Sequence, residues 1–312
     1  MKHLKIALIG GSGFVGQHLT NELVNQSREV IVLSRVREHA QSLIMLPTVD
    51  VVEVDARNVD ALTRATRDAD AVINLVGIRY ETSRMSFDDI HVGMTEAGIE
   101  ACRRNGIRRF IQMSALNAAP GAASAYLRSK GEAEARVAAS GLDWTIFQPS
   151  VIFGPEDRFL NVFATLARVM PIIFLPGASA RFQPIYVGDV VKAMAAALDD
   201  TSTFGISYPL CGPRVYTLRE LVRFAAQLTG HRPWIFGLPP SLSNAQAWVL
   251  EHMPGKLLTR DNLLSMRIDS VSDVSAVALL GGPPRALEDT VPEYFGGRGR
   301  NERYTQYRRR HR

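Results

Sequence analysis

"LKIALIGGSGFVGQHL", residues 4–19, decides the architecture. Leu4 to Ile9 reads as an apolar strand, and glycines at Gly10, Gly13 and Gly16 follow at once. From Phe14 onward apolar residues recur at helical spacing, with Val15, Leu19 and Leu23 on one face. A strand that turns through glycines straight into a helix is the opening unit of a dinucleotide-binding fold. The first glycine permits the tight turn, the second lets a pyrophosphate approach the backbone, and the third lets helix and strand pack closely. Gly11 and Ser12 complete the turn, and the start of the helix at Phe14 and Val15 offers N–H groups and a partial positive charge to an anion. A triphosphate loop is excluded, because no Gly-Lys-Ser/Thr follows the glycines.

Outward from this unit the same alternation continues. Strands are expected near residues 4–9, 29–33, 51–54, 71–76, 109–113 and 144–147, with helices between them. That pattern predicts an α/β fold, a doubly wound Rossmann parallel sheet with helices on both faces. After Pro149 prolines and glycines interrupt the order, and a smaller lobe begins. "FQPIYVGDVVKAMAAAL" reads as a short strand and a helix that return to the first domain, and Thr217 with Glu220 reads as a capping box opening another helix. The expected division is a nucleotide-binding domain of residues 1–152 and 183–204, a discontinuous substrate lobe of residues 153–182 and 205–292, and a disordered basic tail of residues 293–312.

Composition narrows the class. With 312 residues, 46% of them hydrophobic and 21% charged, the chain can bury a full core. No apolar run reaches the roughly 18 residues that span a bilayer. The candidates "MPIIFLP" and "PWIFGLPP" are broken by proline; within them Ile172 to Leu175 and Trp234 to Leu238 either floor an apolar pocket or simply pack the core. No signal peptide opens the sequence, so a cytoplasmic location is expected. The net charge of +5 resides in the last fifteen residues, which hold seven arginines against Glu302, leaving the remainder at −1. A nucleic-acid face is therefore not expected, and the tail points either to solvent or to peripheral contact with an anionic membrane or acidic partner. Cys102 and Cys211 stand apart and read as packing residues, and the seven histidines show no metal-ligand spacing.

The end of the second strand bears on the coenzyme. An NAD site usually places a carboxylate there, whereas this chain has Ser34, Arg35 and Arg37. A guanidinium binds a 2′-phosphate that a carboxylate would repel, so NADP(H) is favoured over NAD(H), and FAD is disfavoured by the same missing acid. Solvated loop charges are the other reading of these arginines. Asp55, closing the third strand, is placed either to meet the adenine edge or simply to form a turn.

Tyr126 and Lys130 lie four residues apart in "SAYLRSKGEAEARV", on one face of an expected helix between the fifth and sixth strands. A phenol of pKa near 10 that exchanges a proton near pH 7 needs about 4 kcal/mol. A lysine cation about 4 Å away, at an effective dielectric of about 20, supplies about that much. The pair is expected to act as a proton-transfer device, with Lys130 also bonding the nicotinamide ribose.

"GGSGFVG", "INLVG", "IQMSAL", "YLRSK" and "PSVIFGP", in that order, resemble the extended short-chain dehydrogenase/reductases over residues 4–290. "YLRSKGEAE", "QPSVIFGPEDRFLN", "FQPIYVGDV" and "LLTRDNLLSM" are similar to an atypical branch of that family. This branch contains the nucleotide-binding accessory subunit of mitochondrial complex I and its bacterial relatives. The resemblance implies that Gly10, Ser12, Gly13, Phe14, Val15 and Gly16 hold the pyrophosphate and that Arg35 faces the adenosine ribose. It further implies that Leu75, Val76 and Gly77 line the coenzyme and that Pro149, Ser150 and Val151 flank the nicotinamide. Tyr126 would be the acid/base and Lys130 the ribose ligand. Two positions depart from the family pattern. Leu116 stands where a hydroxyl usually holds the substrate oxygen, leaving Ser114 earlier in the turn, and His91 replaces a helical asparagine. An oxidoreductase and a non-catalytic NADP(H)-binding subunit of a membrane-associated assembly are both compatible with this set.

Overall fold

The computed structural model describes residues 4–295 apart from Arg84 and Pro254. In chain order its elements are β1 (Lys5–Ile9), α1 (Phe14–Asn25), β2 (Glu29–Ser34), α2 (Gln41–Ile44), β3 (Val49–Glu53), α3 (Val59–Ala65), β4 (Ala71–Asn74), α4 (Met94–Asn105), β5 (Arg109–Met113), α5 (Ala125–Ala138) and β6 (Asp143–Pro149). Next come β7 (Ile152–Phe153), α6 (Leu160–Val169), β8 (Ile172–Leu175), β9 (Arg181–Phe182), β10 (Ile185–Tyr186), α7 (Val187–Ala197), β11 (Ile206–Leu210), β12 (Tyr216–Thr217) and α8 (Leu218–Leu228). The chain continues through β13 (Trp234–Gly237), α9 (Pro240–His252), α10 (Arg260–Ser265), α11 (Val277–Leu280) and α12 (Leu287–Tyr294).

Seven parallel strands form one sheet in the order β11-β6-β5-β4-β1-β2-β3. The chain runs outward from β1 through β2 to β3, then crosses back to β4 on the other side of β1. This reversal opens a crevice at the carboxyl ends of β1 and β4, where doubly wound sheets bind ligands. Strands covered on both faces read as continuous apolar runs, which is why "KIALI" and "EVIVLS" show no alternation. Their side chains, among them Ile9, Leu33, Val72, Phe110 and Ile146, pack into one core with α3 and α4.

The chain divides into two compact units. The first comprises Met1–Pro149, Val187–Leu210 and Val274–Gly282, and the second Ser150–Tyr186, Cys211–Asp273 and Pro283–Arg312. Residues 206–210, expected in the smaller lobe, instead form the edge strand β11 beside β6. The strand of "FQPIY" does not join the central sheet. β10 pairs with β7 in the second unit, where Ile185 N–H donates to the Val151 carbonyl, while the helix after it, α7, belongs to the first unit. Phe153, Leu160, Leu221, Val222 and Val291 lie in the second unit's own core. The Thr217–Glu220 capping box opens α8 as expected. α12 runs through Tyr294, so the segment assigned to the tail begins as helix, and its remainder, beyond Phe295, lies outside the described residues.

Candidate nucleotide and proton-transfer site

The glycine turn is shaped by what a side chain would hit. Gly10 has φ +78°, and a Cβ on Gly16 would lie 2.4 Å from the Gly11 carbonyl oxygen, so α1 can approach the turn only with glycine there. Gly13 is the N-cap of α1, in extended conformation and without a side-chain cap, and the first turn carries no acid. The leading N–H groups of Phe14, Val15 and Gly16 therefore start a helix that welcomes an anion. Ser12 is held by a 2.9 Å contact between its hydroxyl and that of Ser34, and its carbonyl accepts from Gln17 Nε2 at 3.0 Å. These residues fit a pyrophosphate.

At the end of β2, Arg35 and Arg37 are exposed, and Arg35 lies 3.2 Å from the Met85 sulfur. Asp55 is committed to Arg57. Its carboxylate accepts from Arg57 Nη2 at 2.6 Å and Nε at 3.0 Å, and also from the Arg57 backbone N–H at 3.1 Å. This is a turn-forming role. The Arg57 bond holds the carboxyl below its usual range, with Arg35 adding to the effect. Arg57 escaped sequence reasoning and belongs with Arg35 at this edge.

β4 leads into Leu75, Val76 and Gly77. Leu75 N–H donates to the Ile9 carbonyl at 2.9 Å, and a Cβ on Gly77 would sit 3.4 Å from Lys130 Nζ. Ser124 caps α5, accepting from Leu127 N–H, and sets the register that places Tyr126 and Lys130 one turn apart. Lys130 is buried, and its Nζ donates to the carbonyls of Val76 at 3.0 Å and Met113 at 3.2 Å, past the carboxyl ends of β4 and β5. Burial lowers its pKa to about 8, opposed by the negative charge of Glu134. Tyr126 is half-buried, its ring edge-on to Phe87 at 5.8 Å and to His91 at 5.5 Å. Burial pushes its phenol up to about 12. The expected depression of the phenol by Lys130 is thus not what the structure has. Dehydration of both groups outweighs any attraction, and the ammonium is turned onto backbone carbonyls.

His91 lies in a π-helical turn, Asp88–Gly93, ahead of α4. Its Nε2 accepts from Ile78 N–H at 3.2 Å, which leaves Nδ1–H to donate to Ser129 Oγ at 2.8 Å. Ser129 in turn donates to the Tyr126 carbonyl at 2.9 Å. Burial, then the charge of Lys130, lowers the His91 pKa to about 2, so the ring is neutral. Thr95 Oγ1 donates to the His91 carbonyl at 2.6 Å, and Asn74 Nδ2 bonds both Thr95 Oγ1 and Gln112 Oε1 at 3.0 Å. The Asn74 amide oxygen accepts from Val76 N–H at 3.2 Å. None of Asn74, Thr95, Gln112 and Ser129 was predicted. The signal was present in Asn74 and Gln112, amides inside otherwise apolar strands.

The Ser114 hydroxyl is buried without a hydrogen bond of full geometry and faces Glu134; burial pushes that carboxyl up, opposed by Ser114 and by Gln148, whose Nε2 donates to it at 2.9 and 3.0 Å. Leu116 is buried, and its N–H donates to the carbonyl of Pro149, the last residue of β6. Ser150 and Val151 belong to the second unit. Ser150 Oγ donates to the Ser270 carbonyl at 2.8 Å, and the Val151 carbonyl accepts from Ile185. Among the described residues no helix is long and apolar enough to cross a membrane.

Residues 10–160 match a family model described as NAD(P)H-binding. Subunit 9 of the NADH dehydrogenase [ubiquinone] 1 alpha subcomplex of Mus musculus is 32% identical over 90% of this chain and 77% of its own. Ceramide reductase of Caulobacter vibrioides is 31% identical over 78% of this chain and 77% of its own. An NADPH-dependent quinone oxidoreductase from Escherichia coli, solved with NADPH, shares the fold with a TM-score of 0.76. Its identity is 18%, over 93% of this chain and 98% of that one. The chain belongs to the NAD(P)H-binding, atypical extended short-chain dehydrogenase/reductase family that includes subunit 9 of the alpha subcomplex.

Proposed function

We propose that this member of the NAD(P)H-binding short-chain dehydrogenase/reductase family is an NADP(H)-dependent oxidoreductase. It would act on a carbonyl or hydroxyl of a small, apolar substrate of quinone or isoprenoid character. The carrying observation is the placement of Tyr126 one turn from Lys130, whose Nζ rests on the Val76 and Met113 carbonyls at the crevice edge of the sheet. A phenol pushed up to about 12 keeps its proton near neutrality, which suits Tyr126 to donate one to a carbonyl oxygen during reduction. Lys130 has a third ammonium proton beyond its two carbonyl bonds, available to a ribose hydroxyl. A bound nicotinamide coenzyme supplies the hydride.

The turn from Gly10 to Gly16 would hold the pyrophosphate, and Ser34, Arg35 and Arg37 would take the 2′-phosphate. Arg57 already neutralises Asp55, the one acid that sequence reasoning placed at the adenosine end. Leu75, Val76 and Gly77 would line the coenzyme, Pro149, Ser150 and Val151 would flank the nicotinamide, and Ser114 would bond the substrate oxygen. Ceramide and quinone in the names of relatives and neighbours support an apolar substrate. The protein would work in the cytoplasm, peripheral to the inner membrane.

A second reading is a non-catalytic NADP(H)-holding subunit of a membrane-associated respiratory or quinone-biosynthesis assembly. It is favoured by Leu116, which cannot hold a substrate oxygen, and by His91, whose two ring nitrogens are both engaged. Stopped-flow mixing of the NADPH complex with quinones and aldehydes separates the two. Coenzyme oxidation in the first turnover supports the enzyme, and a nucleotide that survives dialysis and is never oxidised supports the subunit.

A further inference from the structure

The second unit carries a surface that the nucleotide site does not use. β8 and β13 pair in parallel with Ile172 opposite Trp234 and Phe174 opposite Phe236. Strand alternation sends Ile173 and Leu175 into the core and leaves those four side chains between 42% and 72% exposed. They form an outward apolar row, with Phe174 and Phe236 rings 6.1 Å apart, while Ile173 and Leu175 take the core-packing role that was the other reading of these stretches. α9 extends it. Gln246 ties the helix to β8 by donating to the Phe174 carbonyl at 3.3 Å, Ala247 is buried, and Trp248 and Val249 are half exposed. A contiguous apolar face of this kind marks an interaction site.

Charge identifies the partner. Residues 166–175 and 231–257, which build the face, contain one carboxylate, Glu251. Arg260 neutralises it at 2.7 Å. Arg168, Arg232 and Lys256 flank the apolar residues in sequence. Tyr294 and Phe295 line a cleft of about 390 Å³ together with Thr165 and Arg168. The described chain therefore ends beside Arg168 and the exposed Glu156, and seven arginines lie between residues 298 and 312. A protein partner of mixed charge would be met by acids as well as bases. Two stretches whose formal charges are three bases and one neutralised acid, with two tryptophans among their aromatics, match a uniformly anionic layer over an apolar one.

We propose that this face of the second unit seats on an anionic lipid bilayer. Trp234, Phe236, Phe174 and Trp248 enter the headgroup boundary, and the exposed Arg168 and Arg232 meet lipid phosphates. The test is flotation of the full chain with vesicles of phosphatidylglycerol and phosphatidylcholine, against phosphatidylcholine alone. Selective binding to the anionic vesicles is expected, weakened at least tenfold in Trp234→Glu/Trp248→Glu while nucleotide affinity and circular dichroism are unchanged. Acyl-brominated lipid should quench the native fluorescence but not that of Trp234→Phe/Trp248→Phe, which retains Trp144. Three results would overturn the proposal. One is no flotation. Another is flotation that survives the glutamate pair and disappears on truncation after Phe295, which would assign binding to the tail alone. The third is a dimer in light scattering that the glutamate pair dissociates, without lipid binding, which would assign the face to a second copy.

Discussion

Replacing Lys130 by Met tests the electrostatics of the site through stability, without reference to turnover. In the unfolded chain Lys130 is protonated up to its ordinary value of 10.5, whereas in the native protein burial holds its pKa at about 8. Between those two pH values the unfolded state binds the additional proton. Native stability therefore rises with pH across that window as the penalty of a buried cation is relieved. The gap between 10.5 and about 8 corresponds to about 3 kcal/mol at its fullest, at about 1.4 kcal/mol for each tenfold step. Methionine has no charge to bury and a similar shape, so its loss of the Val76 and Met113 bonds is a pH-independent offset. Urea denaturation of both proteins at pH 7, 8, 9 and 10 gives the difference at each pH. Relative to Lys130→Met, the native protein should gain about 2 to 3 kcal/mol between pH 7 and 10. Tyr126 titrates in the opposite sense, but in both proteins and only above its ordinary value of 10. A flat difference would refute the claim that Lys130 is dehydrated in the native fold.

Arg35→Asp should weaken NADPH by tenfold or more while altering NADH little, because it removes a guanidinium and adds a charge that repels the 2′-phosphate; equal losses in calorimetric titrations would remove the case for NADP(H). Tyr126→Phe should abolish coenzyme oxidation and leave nucleotide affinity nearly intact; persistent turnover would place the proton donor elsewhere. Gly131→Ala should destabilise by about 1 to 3 kcal/mol in thermal or urea unfolding despite alanine's better helix propensity. Its Cβ would lie 2.3–2.5 Å from the backbone of Ala119, so a stabilised variant would contradict the close packing of α5 on that loop.

Local signals carried the sheet, the first helix and the glycine turn. A parallel strand buried on both faces must be an apolar run, and a position where a Cβ would lie 2.4 Å from another residue's carbonyl oxygen must be glycine, so "KIALIGGSGFVG" states its own geometry. The capping box at Thr217 and Glu220 is equally local, since both partners lie within one turn. Chain order alone left the rest undecided. The polar chain of Asn74, Gln112, Thr95, His91 and Ser129 draws on β4, β5, α4, α5 and the turn before α4, and exists only once the sheet brings them together. Spacing placed Lys130 beside Tyr126 but not against the carbonyls of Val76 and Met113. Whether a buried cation lowers a neighbour's pKa or suffers its own desolvation depends on what surrounds it, and only the tertiary structure supplies those surroundings. The alternation of β8 and β13 was likewise visible as apolar runs, but which side chains turn inward was decided by the core they pack against.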